Sequence, residues 1–149
     1  MANFPDTLRI ISLTLWVGGL WIVGALVAPL LFHSLPHDRV LAGALAGRIF
    51  IGMAWVGLLA GFYLLLYALI SDGFGAFKQT GFWIVLLMLL LTAVNHFAIH
   101  PWITELKSKA GNVATGAFGG GFATAHTISS IIYLGECLLG LALITRGNK

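Results

Sequence analysis

The sequence predicts an all-α integral membrane protein, a four-helix bundle with both termini on the same side of the bilayer. Of its 149 residues, 59% are hydrophobic and only 9% are charged, against roughly 25% charged in soluble domains. The charged residues cluster between long apolar runs, as a hydrocarbon layer about 30 Å thick requires of the helices that cross it. Four such runs fit one domain over residues 1–149, at about 8–32, 49–70, 82–100 and 123–144. The net charge of +3 is too small and dispersed for nucleic acid, and suits flanks lying against anionic lipid. Cys137 is the single cysteine, which excludes an internal disulfide.

The first run, Leu8 to Phe32, is long enough to span with tilt, and Asp6 or Thr7 is expected to cap it. It exceeds the length of a signal-peptide core, so this helix is expected to be retained. Gly18, Gly19, Gly24 and Ala28 permit close helix approach, and Pro29 should kink the last turns. The segment from His33 to Asp38 ends the helix, and Asp38 is placed to cap a second one that spans Ile49 to Ile70. Gly57 and Gly61 form a GxxxG pair there. That pair is a packing face, used within the monomer, in a homodimer or against another membrane protein.

Ser71 to Gly81 reads as a turn, with Phe74 and Phe77 in the interface. The third helix starts at Phe82, and its apolar part ends near Ile99. Its pattern continues past Pro101 into an amphipathic stretch that Gly111 stops, and Pro101 should bend it where it leaves the membrane. Gly111 to Phe122 holds five glycines and no charge, the composition of a mobile loop or a re-entrant cover. The fourth helix runs from Ala123 to Ile144. In this topology Arg9, Lys78, Arg146 and Lys149 lie on one side and Arg39, Arg48, Lys107 and Lys109 on the other. The positive-inside rule therefore assigns no orientation.

The polar residues form two stripes. On helix three His96 and His100 are four residues apart, and Thr92 and Asn95 extend their face inward. On helix four His126, Ser129, Ser130, Tyr133, Glu136 and Cys137 fall within an arc of about 120°, with Leu134, Leu138 and Leu141 outside it. The stripes are expected to face each other. Imidazole is a ligand for zinc, copper and haem iron, so His96 and His126 are candidate metal ligands, with His100 and His33 as outer ones. The alternative is an interhelical hydrogen bond for the inner pair and interfacial hydration for the outer residues. Glu136, near the middle of helix four, costs at least about 2.5–3.5 kcal/mol as a carboxylate at that depth. It needs a partner or a proton, and Tyr133, Ser12, Thr14 and Asn95 are candidate partners. Glu136, Tyr133 and Asn95 are the expected proton or cation path. Cys137 suits packing better than ligation, and no motif assigns a reaction.

The first helix, Leu15-Trp-Val-Gly-Gly-Leu-Trp-Ile-Val-Gly followed by Ala28-Pro-Leu-Leu-Phe32, resembles the opening of the bacterial family related to eukaryotic transmembrane protein 205. The Phe122 to His126 spacing at the start of helix four and the four-span length are also similar to that family. The resemblance implies a multi-pass location in the cell inner membrane and no particular activity. More remotely, Trp16-Val-Gly-Gly and His33 resemble the first helix of copper-resistance D proteins and of J-type protoporphyrinogen oxidase, which implies copper handling or haem b. Leu8 and Arg9 stand where those proteins open the helix with histidine. Three functions follow as expectations: binding or movement of a transition metal or proton at the seam between helices three and four, a haem b redox protein, or a non-catalytic partner subunit.

Overall fold

The computed structural model describes residues 3–110 and 120–146, which form four long helices and no strand. Helix α1 comprises Phe4–Ile22, a π turn Val23–Val27 and Ala28–Ser34; α2 is Arg39–Asp72. A 3-10 segment, Gly73–Lys78, leads into α3, which comprises Thr80–Val94, a π turn Asn95–Ile99 and His100–Ala110. Helix α4 is Gly120–Arg146. All four are long and apolar enough to cross a membrane. They pack in sequence order, and α4 returns against α1 to close the ring. The start of α1 meets the end of α2 through Tyr63 and Tyr67, and Leu143 near the end of α4 approaches Gly81 at the start of α3. The chain thus runs up and down twice, with the start of α1 and the end of α4 on one side.

Local chemistry sets the boundaries. Helix α1 begins at Phe4 after Asn3, ahead of the expected cap at Asp6 or Thr7. Pro5 in the first turn explains the shift, because a residue without an N–H costs nothing there. Asp38 caps α2 as expected, its carboxylate accepting from the Leu41 N–H at 2.9 Å. Gly73, at φ 55°, ends α2 in a conformation that only glycine adopts readily. The expected glycine-rich loop lies outside the described residues as far as 119, and α4 already begins at Gly120.

The two prolines distort their helices in the same way. Each would clash with the carbonyl four residues back and offers it no N–H. The preceding turn widens instead: the Ala28 N–H donates to the Val23 carbonyl, and the His100 N–H donates to that of Asn95. Both bonds run from the residue before proline to the residue six before it.

The core is a stack of side chains between close helices. Trp16 is fully buried, and its indole fills the groove of α2. A Cβ on Gly57 would lie 2.6 Å from Trp16 Nε1, and one on Gly61 would lie 2.8 Å from Trp16 Cη2 and 2.9 Å from Leu89 Cδ1. The GxxxG face is therefore filled within the chain, by α1 and α3. Gly140 of α4 repeats the device against Val17, at 2.8 Å. Cys137 is part of this core. The outer surface is apolar, with Leu59, Phe62, Phe97, Ile131 and Leu134 all more than half exposed. That is a lipid-facing surface.

Candidate functional site

The two polar stripes meet. On α3 the Asn95 carboxamide oxygen accepts from the Ser129 hydroxyl of α4 at 2.8 Å. Farther into the bundle Thr92 Oγ1 lies 3.1 Å from Glu136 Oε2, and the same oxygen lies 3.0 Å from the Met88 carbonyl. Glu136 is 2% exposed, and among the described residues its Oε1 is buried with no hydrogen-bond partner. Leu134, Leu138 and Leu141 face outward from α4, which is what the 100° periodicity of a helix requires if Glu136 faces in.

None of the expected partners, Tyr133, Ser12, Thr14 and Asn95, is the one the structure gives Glu136, which is Thr92. Tyr133 turns to α1, where its hydroxyl donates to the Leu20 carbonyl at 2.7 Å. A Cβ on Gly24 would lie 2.7 Å from Tyr133 Cε1, so the ring is seated on the α1 π turn. Its other side meets Phe50 of α2, edge to face at 5.0 Å. Tyr133 therefore ties α4 to α1, while Ser129 and Glu136 tie it to α3. Thr92 is the residue that sequence reasoning missed as the partner of Glu136. The antiparallel pairing of Asn95 with Ser129 carries the signal, since it sets Thr92 one turn deeper and opposite the turn ending at Glu136.

The histidines have distinct surroundings among the described residues. His96 packs edge to face on Trp55 of α2, 5.4 Å between ring centres, and on its neighbour Phe97 at 4.7 Å. His100 reaches α2, with Nε2 4.0 Å from a Cβ placed on Gly47. His33 is exposed on the last turn of α1 and His126 is exposed near the start of α4. Among the described residues no three His, Cys, Asp or Glu side chains gather to hold a metal ion.

A closed ring of four apolar helices, with its polar groups turned inward and leucines outward, defines a multi-pass membrane protein. The chain belongs to the family described as a domain of unknown function (DUF4149), whose model matches residues 11–112. That match covers most of α1, all of α2 and α3, and none of α4, so Glu136, Tyr133 and Ser129 lie beyond it. No curated protein and no solved structure matches the chain.

Proposed function

We propose that this membrane protein binds and transfers a proton at Glu136, along the seam between α3 and α4. The observation that carries the reading is the position of Thr92 Oγ1 between two oxygens, the Met88 carbonyl and Glu136 Oε2. A hydroxyl has one hydrogen to donate. If Thr92 gives it to the Met88 carbonyl, the second contact is a hydrogen bond only when the carboxyl brings its own proton. The cost of a bare carboxylate at this depth favours the same state. Ionised, Glu136 would draw the Thr92 hydrogen away from Met88. One side chain thus has two hydrogen-bonded arrangements that differ by a proton.

The Asn95 and Ser129 pair continues the seam toward the end of the bundle that carries His96 and His126. Imidazole is the side chain best suited to exchanging protons with water near neutral pH, and these residues are assigned that outer role. Tyr133 holds α4 against α1 and keeps the carboxyl facing inward. The inner-membrane location implied by the likeness of the first helix would give the proton a gradient to follow.

The test is reconstitution into vesicles holding a pH-sensitive dye, with proton entry driven by a potassium diffusion potential. Wild-type protein is expected to acidify the vesicles and Glu136→Gln to leave them at the protein-free rate. Equal rates for the two would end the proposal. Stoichiometric zinc or copper in purified protein, lost on replacing His96 and His126 with alanine, would put the transition-metal reading in its place.

A further inference from the structure

At the opposite end of the bundle from the histidines, a cleft of about 550 Å³ opens between the first turns of α1 and the last turns of α2. Its walls include Phe4, Leu66 and Ile70, all exposed, and its polar lining includes Asp6, Tyr67 and Ser71. Tyr67 organises two opposite charges. Its hydroxyl donates to Asp6 Oδ1, and the Arg9 guanidinium lies over its ring, 5.7 Å from the centre. Tyr63 fixes the chain entering α1 by donating to the Pro5 carbonyl at 3.0 Å. The cleft therefore offers a carboxylate in its lining, with the exposed Arg9 guanidinium just outside it, one helical turn away over the same aromatic ring, above an apolar wall facing the bilayer.

We propose that this cleft binds a phospholipid with a zwitterionic primary-amine headgroup, a phosphatidylethanolamine. Its ammonium would donate to Asp6 Oδ2, its phosphate would accept from Arg9, and its acyl chains would lie along Leu66 and Ile70. The charges select among lipids. An anionic headgroup without an amine can meet Arg9 in the same way, but it leaves the Asp6 carboxylate without a cation and repelled by the lipid's net negative charge. A quaternary ammonium has no N–H to give to a carboxylate acceptor. The apolar wall commits the site to a lipid rather than a free phosphoamine, because a water-soluble ligand would leave that surface unused. The site is independent of the proton seam.

The experiment is native mass spectrometry of the full chain in mild detergent. The protein is offered an equimolar mixture of phosphatidylethanolamine, phosphatidylcholine and phosphatidylglycerol with matched acyl chains. One phosphatidylethanolamine is expected to be retained about fivefold to tenfold over either competitor, the ratio of one added charge-assisted contact. Asp6→Asn, which keeps an oxygen for Tyr67, should abolish the preference over phosphatidylglycerol, and Arg9→Gln should lower retention of all three lipids. Equal retention of the three by wild-type protein, a preference for phosphatidylglycerol, or an unchanged preference in Asp6→Asn would each overturn the assignment.

Discussion

Thr92 and Glu136 bring a hydroxyl and a carboxyl to 3.1 Å across the α3–α4 contact, where both side chains are buried. Their oxygens occupy a place that hydrocarbon would otherwise fill. The contact therefore has a cost when only one partner is present. Thr92→Val is expected to destabilise the protein by about 1–2 kcal/mol in the wild-type background. In a Glu136→Leu background the same change should cost about 1 kcal/mol less, since the carboxyl it would strand is gone. Reversible unfolding in mixed micelles, run as a double-mutant cycle, measures the difference.

The Ser129 and Asn95 contact is of the same kind but nearer the bundle end. Hydrogen bonds between membrane helices average about 0.6 kcal/mol and reach about 1.7. Ser129→Ala and Asn95→Ala should each fall in that range, with a coupling energy close to either single loss. A coupling near zero would mean that the pair is not formed in the membrane.

Bulk at Gly57 or Gly61 should be more damaging, because the neighbour that must give way is the fully buried Trp16. Gly61→Leu is expected to cost about 1–3 kcal/mol or more, as over-packed cores do. Gly18, by contrast, has nothing within 4 Å of an added Cβ, so Gly18→Ala should be neutral or stabilising by up to about 1 kcal/mol. Combining Gly61→Leu with Trp16→Ala should recover part of the loss. Thermal melting of the three variants, with size-exclusion profiles, tests the set; a profile that changes from dimer to monomer in Gly61→Leu would argue against intramolecular filling.

Metal addition offers a further check on the histidines. Since no three ligating side chains converge among the described residues, zinc or copper at moderate excess is expected to leave the melting temperature unchanged. A ligand present at 100 times its Kd would add about 2.7 kcal/mol, which a melting curve resolves easily. A shift abolished by His96→Ala would require these side chains to rearrange around the ion.

The seam was legible because it obeys helical periodicity: Thr92 and Asn95 fall three residues apart on α3, and Ser129 and Glu136 seven apart on α4. A carboxylate in a hydrophobic run also has few places to face other than inward. What periodicity lacks is the vertical register between helices, which decides that Glu136 meets Thr92 while Tyr133 reaches the Leu20 carbonyl of α1. Gly57 and Gly61 announced a close approach, but the residue that makes it, Trp16, lies more than forty positions earlier and on its own reads equally as an interface anchor. Nor does periodicity foretell the Trp55 ring of α2 packed against His96, or the π turn at Asn95–Ile99 in which that histidine sits. The proline that causes the turn was visible; the form of the distortion, widening in place of a simple bend, was not.

The two π turns lie at neighbouring depths on parallel helices, since Gly24 in one abuts Tyr133 and Asn95 in the other bonds to Ser129, one turn apart on α4. A widened turn backed by proline has fewer intrahelical bonds resisting flexure than the segments above and below it. The bundle is thus built like a column with one compliant course of masonry. When the bilayer thickens or thins, the resulting strain is expected to gather in that layer, and α1 and α3 should change tilt there while the Trp16 packing beneath stays rigid.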